Sequence, residues 1–119
     1  MLNENDKANL EEINYAVSHI ELYVSPINSI EELLQNHLVY DAIQMNFIII
    51  GEASKRISQE LKKKYPEIDW KGIVSYRNFV VHEYFGVDVK ILWSAIIYEL
   101  PKLKSTVKQI LKSNATKNS

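Results

Sequence analysis

Between Tyr76 and Gly86 the chain reads YRNFVVHEYFG. Arg77, Asn78, His82, Glu83 and two tyrosines, Tyr76 and Tyr84, stand among the large apolar residues Phe79, Val80, Val81 and Phe85. Histidine has an ordinary pKa of about 6.5, so it gives and takes protons near neutral pH. An arginine beside it can hold a phosphate through a fork of charged hydrogen bonds and stabilise negative charge as it develops. Such a pair suits phosphodiester chemistry. RNA carries its own nucleophile: the 2′-hydroxyl attacks the adjacent phosphate once a base removes its proton and an acid protonates the leaving oxygen. That route needs no metal.

Arg77 and His82 are five residues apart, which on an ideal helix means about 140° around the axis and about 7.5 Å along it. They do not share a stripe. If the helix ends near Val81 or His82 and Gly86 lets the chain turn, both side chains can project toward one helix end. One histidine cannot serve as both acid and base on one bond, whereas a two-fold dimer brings two Arg77/His82 pairs into a single cleft. The residue types alone also admit a plainer reading, with His82 a structural hydrogen-bonder and Arg77 a salt-bridge partner or cap.

The other candidates carry less chemistry. His19 and His37 lack partners at metal-ligand spacing, so no metal site is expected. Lys62, Lys63 and Lys64 read as a solvated helix end that can also meet phosphates. Trp70 and Trp93 occupy helical positions suited to core or interface. Glu52 and Arg56, four residues apart, read most simply as a salt bridge along one helix.

The elements that must position these residues are helical. Only three glycines and three prolines occur in 119 residues, and apolar side chains recur at spacings of three and four. A first helix is expected from about Asp6, with the face Leu10, Ile13, Val17, Ile20, Val24 and Ile27, ending at Pro26. Ser29 followed by Glu32 marks a short helix from Ile30 to Asn36. A long helix is expected from Leu38 to Lys64, burying Leu38, Ala42, Met45, Ile49, Ala53, Ile57 and Leu61. It is apolar on a second face around Phe47 to Ile50, which suggests a dimer. Asp69 caps a helix from Trp70 to about Val81, and Asp88 caps one from Val89 to Leu111, kinked at Pro101. The last carries Ile91, Leu92, Ala95, Ile96, Leu100, Leu103, Val107 and Ile110. The expected architecture is an all-α, antiparallel four- to five-helix bundle over residues 1–112, with a disordered tail at 113–119.

Composition narrows the class. Fourteen basic against fifteen acidic side chains, with a pI near 6.3, give no global attraction to nucleic acid or membrane, so any such site must be local. The absence of cysteine excludes disulfides and thiolate metal sites. The first ten residues lack the basic start and apolar run of a signal peptide, and no apolar stretch approaches about 20 residues. A cytoplasmic protein is the expectation.

Arg77-Asn78-x-x-x-His82-x-Tyr84 resembles the Arg-polar-x-x-x-His signature of HEPN domains. The tyrosine two residues after the histidine is similar to that of the HepT subfamily of toxin-antitoxin toxins. The resemblance extends to IIGEASKRIS at 49–58, YPEIDWKGIVSYRN at 65–78, HEYFGVD at 82–88 and LPKLK at 100–104, covering about residues 6–112. It implies an all-helical HEPN homodimer with the Arg and His of both protomers lining an interface cleft, in a family that includes metal-independent ribonucleases. Carried over, Arg77 would bind the scissile phosphate and His82 would be general acid and base. Asn78 would orient them or contact RNA, and Arg56 would add positive charge.

Tyr84 resembles the tyrosine that a cognate minimal nucleotidyltransferase, the MNT-type antitoxin, modifies with AMP. Bulk and negative charge there would oppose RNA entry. The expectation is an endoribonuclease toxin acting on RNA, tRNA among the candidates, with no cofactor and no membrane partner. The alternative is a non-catalytic helical dimer that binds a nucleotide or the partner nucleotidyltransferase.

Overall fold

The computed structural model describes residues 2–118, with side chains through residue 115. Among the described residues every regular element is helical. The order is α1 (Glu4–Val24), α2 (Ile30–Gln35), α3 (His37–Arg56), α4 (Gln59–Lys64), α5 (Trp70–His82), a 3₁₀ turn (Tyr84–Gly86), α6 (Val89–Ser94), a π turn (Ala95–Glu99) and α7 (Leu100–Asn118).

Local chemistry sets where the helices begin. The side-chain oxygens of Asn3, Ser29, Asn36, Ser58, Asp69 and Asp88 each accept a backbone N–H in the first turn of the helix that follows. Each such cap satisfies an otherwise orphaned donor and contributes about 0.5–2 kcal/mol. Glu32 reaches back to accept the Asn28 N–H at 2.7 Å, completing the start of α2.

α3 is the spine: α1 and α5 pack against it, and α7 packs against α1. The contacts give the directions. Asn5 and Asp6, at the start of α1, meet Arg56 and Ser58 at the end of α3, so α1 and α3 are antiparallel. Leu2 reaches Asn114 while Glu21 pairs with Lys104, so α1 and α7 are antiparallel too. Leu10, Ile13, Val17 and Ile20 of α1, Ile43 and Ile50 of α3, Leu92 of α6 and Val107 of α7 are fully or almost fully buried. Burying each such side chain contributes roughly 1.5–3 kcal/mol.

The single helix expected over Leu38–Lys64 is corrected to two. Ile57 and Ser58 are extended, with ψ 138° and 150°. Asp6, only 3% exposed, holds the break by accepting the Ser58 N–H at 2.8 Å and its hydroxyl at 2.6 Å. The buried stripe on the first half of α3 is also rotated from the expected one. Leu38 and Met45 are 82% and 57% exposed, while Ile43, Gln44, Asn46 and Ile50 face inward. Helical periodicity fixes the spacing of an apolar stripe but leaves its phase open when a helix is apolar on several sides. Ile91, at 58% exposed, is likewise outside the core that Leu92 and Ile96 enter.

Pro101 is accommodated by the π turn before it. Pro101 has no N–H to donate, and in a regular helix its ring would crowd the carbonyl four residues earlier. The wider turn, in which the Leu100 N–H reaches the Ala95 carbonyl, absorbs the mismatch. The expected tail at 113–119 is corrected as well, since α7 continues to Asn118. Asn114 is 5% exposed and accepts the Leu2 N–H at 2.9 Å. A polar composition there conceals a side chain that ties the two ends of the chain together. Ser119 lies outside the described residues.

No helix among the described residues is long and apolar enough to cross a membrane.

Candidate active site

α5 carries the candidate residues Arg77, Asn78 and His82 and lies antiparallel to α3. Gly51 meets Ile73 and Arg77, Gln44 meets Tyr76, and Asp41 meets Tyr84. As the α5 numbers rise, the α3 numbers fall.

Arg77 is pinned on three sides. Its guanidinium forms an ion pair with Glu52 of α3, with the two side chains 23% and 30% exposed. A second nitrogen, Nη1, donates to Asn78 Oδ1 at 2.8 Å. Its aliphatic stem lies directly over Gly51, where any side-chain carbon would overlap Arg77 Cβ and Cγ. The same carboxylate draws in Arg56, whose Nη2 is 3.8 Å from Glu52 Oε2, while Arg56 Nη1 lies 3.9 Å from Glu12. Glu52 is therefore the hub around which Arg56, Arg77 and, through Arg77, Asn78 assemble. The salt bridge along α3 is present, and Glu52 also crosses to α5.

His82 is the last residue of α5 and is exposed. The helix ends where the spacing of Arg77 and His82 requires it to end. Gly86 does not supply the turn by an unusual backbone, since no described glycine has positive φ. The chain instead leaves through the 3₁₀ turn, with the Glu83 N–H bonded to the Phe79 carbonyl at 2.7 Å and the Gly86 N–H to the Glu83 carbonyl at 2.8 Å. Among the described residues of one chain no hydrogen bond joins His82 to Arg77.

Tyr84 is drawn onto α3. Its hydroxyl donates to Asp41 Oδ1, and its ring packs edge-on against Tyr40, with centroids 6.1 Å apart, and against Phe85, at 5.3 Å. Burial, and then the hydrogen bond to the Asp41 carboxylate, push its phenol well above the ordinary range. Behind it runs a polar chain through the α3–α5 interface. Tyr76 donates to Gln44 Oε1 at 3.1 Å, and Gln44, fully buried, donates to the Tyr40 hydroxyl at 3.3 Å. Burial raises the Tyr76 phenol too. A buried amide left without these partners would cost about 1–3 kcal/mol, so the chain fixes how α5 sits on α3.

Asp41, Gln44, Gly51 and the cross-helix role of Glu52 were not anticipated from sequence. The available signal was the set of polar and small residues on α3 inside an otherwise apolar stretch. The plainer readings hold elsewhere: Trp70 is 7% exposed and donates to the Tyr65 carbonyl at 3.1 Å, and His19 lies between the rings of Tyr15 and Tyr23. No group of three or more metal-ligand side chains clusters among the described residues.

A groove of about 900 Å³ opens on the other side of α5, toward α6 and α7, and is lined by Phe47, Tyr76, Phe79, Ile91 and Leu103 among others. Phe79 is 44% exposed, and Phe85 is 99% exposed beside Tyr84.

The chain matches the family described as "Ribonuclease HepT-like" over residues 13–110. A protein of Caldanaerobacter subterraneus subsp. tengcongensis that carries the provisional name of an RNase is 37% identical over 83 residues, 70% of this chain and 74% of that one. A protein of Methanocaldococcus jannaschii with a similar provisional name is 37% identical over 76 residues, 64% and 70% of the two chains. A Thermococcus cleftensis protein with the provisional name ribonuclease HepT is 36% identical over 103 residues, 87% and 93% of the two chains. No solved structure matches.

Proposed function

Because the chain belongs to the HepT-like ribonuclease family, we propose that it is a metal-independent endoribonuclease whose active cleft is shared by two copies of a four- to five-helix bundle. Arg77 and His82 are its catalytic residues. The observation that carries this reading is the contrast along α5: Arg77 is locked against α3 by Glu52 and Gly51, while His82 stands exposed at the open end of the same helix.

The chemistry is a transesterification. One His82 takes the proton from a ribose 2′-hydroxyl, and the 2′-oxygen attacks phosphorus. The bond to the 5′-oxygen breaks, and the second protomer's imidazolium protonates that oxygen as it leaves. Arg77 meets the extra negative charge of the crowded phosphorus, with Asn78 fixing one of its nitrogens and Arg56 adding charge nearby. A local attraction for phosphate is available despite the neutral whole. Lys55, Arg56, Lys62, Lys63, Lys64, Lys71 and Arg77, seven of the fourteen basic residues, fall within 52–77, against four acidic ones. The large apolar residues left open along α5 and α6, Phe79, Val81 and Ile91, support the pairing of two copies.

In this reading the protein is a cytoplasmic toxin, with tRNA among its candidate substrates, and a nucleotidyltransferase antitoxin silences it by placing AMP on Tyr84. The exposed Phe85 leaves the Tyr84 turn accessible to such a partner.

Expression without the antitoxin tests it. Wild type slows growth and cuts RNA in the presence of a chelator, Arg77→Ala and His82→Ala do neither, and the purified protein sediments as a dimer. Intact RNA with wild-type protein, or unimpaired cutting by both variants, would reject it. One observation favours a second reading, a non-catalytic dimer that binds a nucleotide or the transferase: the Arg77 charge is already answered by Glu52. In that case wild type binds the transferase and leaves RNA whole.

A further inference from the structure

Resting on the proposed modification of Tyr84, we infer that Asp41 is the general base of that reaction, taking the phenolic proton as Tyr84 Oη attacks the α-phosphorus of a nucleoside triphosphate held by the partner transferase. The Oη–phosphorus bond forms as the bond from the α-phosphorus to the bridging oxygen breaks. Pyrophosphate leaves with that electron pair, and the proton passes from Oη to Asp41 Oδ1.

Three observations carry it. The Tyr84 hydroxyl already donates to Asp41 Oδ1, so the acceptor is in place before any partner arrives. Among the described residues no ion pair engages Asp41, so no cation competes with the Tyr84 hydroxyl for its carboxylate. The Tyr84 turn is at the surface, flanked by the fully exposed Phe85, where a transferase can reach it.

The electrostatics make a base necessary. Burial and the Asp41 hydrogen bond hold the phenol protonated beyond its ordinary range, and Asp41 and Tyr40 of α3 are the titratable groups that act on it. At neutral pH the nucleophile is thus the neutral phenol, which must lose its proton during the attack. The same carboxylate then faces a phosphodiester anion. The Tyr84–Asp41 bond cannot re-form, and the turn following His82 loses its tie to α3.

The experiment compares wild type, Asp41→Asn and Asp41→Glu as substrates of a HepT-system nucleotidyltransferase with ATP, following the adenylyl mass on the Tyr84 peptide. Asn keeps the shape and accepts a hydrogen bond but cannot take the proton. The expected result is a fall of about a hundredfold or more in kcat with KM unchanged for Asp41→Asn at neutral pH. Its rate should climb roughly tenfold per pH unit as phenoxide forms, and Asp41→Glu should restore part of the rate. Modification of Asp41→Asn at the wild-type rate overturns the inference and leaves the antitoxin reading intact.

A transferase-independent arm labels the same proteins with 5′-fluorosulfonylbenzoyl adenosine. If the transferase leaves wild-type Tyr84 bare, the antitoxin reading fails and Asp41's role as base of that transfer fails with it; Asp41-dependent labelling by the reagent would then show only that the carboxylate activates the Tyr84 hydroxyl. Equal labelling of wild type and Asp41→Asn overturns the inference.

Discussion

Gly51 and Arg77 lie in direct contact across the α3–α5 interface: a methyl group on the first would occupy the space of the Cβ and Cγ of the second. Gly51 is helical and has ordinary negative φ, so glycine is required there for closeness rather than for backbone freedom. Gly51→Ala should cost about 1–3 kcal/mol as α5 is pushed outward. Urea unfolding measures that loss. RNA cleavage should fall further than in Val107→Ala, at a residue fully buried on α7, a helix that packs against α1. Equal activity at equal stability would show that the contact serves only packing.

Glu52 answers two arginines at once. Glu52→Gln removes the charge that orients Arg77 and also a competitor for phosphate, so kcat for RNA should fall about tenfold without a rise in KM. Global stability should move by less than about 1 kcal/mol, because the pair is partly solvated. Arg77→Lys should not substitute for arginine, since an ammonium cannot reproduce the fork that meets Glu52, Asn78 and a phosphate together. Single-turnover cleavage and denaturant midpoints separate these effects.

Tyr76 and Tyr84 make stability fall at high pH. Both phenols are raised in the folded protein, so the folded state keeps protons that the unfolded chain gives up above about pH 10. The stabilisation is complete below that pH and drains away as pH rises through and beyond it. Denaturant midpoints between pH 8 and 11 should bend downward, and Tyr76→Phe should flatten the curve more than Tyr84→Phe, because Tyr76 is the more deeply buried.

Asp6 ties the α3–α4 break to α1. Asp6→Ala leaves the Ser58 N–H and hydroxyl without their acceptor and should cost about 2–3 kcal/mol. Cleavage measured well below the melting temperature should be nearly unchanged, because the clamp lies away from α5. A calorimetric melt beside an activity assay checks both halves.

The sequence carried the helix starts well, because Ser29, Asp69 and Asp88 act within four residues of themselves. Arg77, Asn78, His82 and Tyr84 could be singled out as candidates because their ionisable and hydrogen-bonding side chains crowd into one short stretch between large apolar residues. What the sequence hid was decided across long separations. Ser58 breaks the long helix because a residue 52 positions earlier accepts its hydrogen bonds. The phase of α3 depends on which neighbours cover it, so Leu38 and Met45 read as core and lie outside it. Glu52 looked satisfied by Arg56 on its own helix, and only the crossing of α3 and α5 brings Arg77 to it.

Asp41, Gln44, Gly51 and Glu52 engage Tyr84, Tyr76 and Arg77 like the teeth of one rack along α3. A slip of α5 by a single turn, about 5.4 Å, would disengage every tooth together. Phosphate gripping and tyrosine tethering should therefore vanish as one event when this seam opens, giving a heated sample of intact and dead molecules with few half-competent ones between.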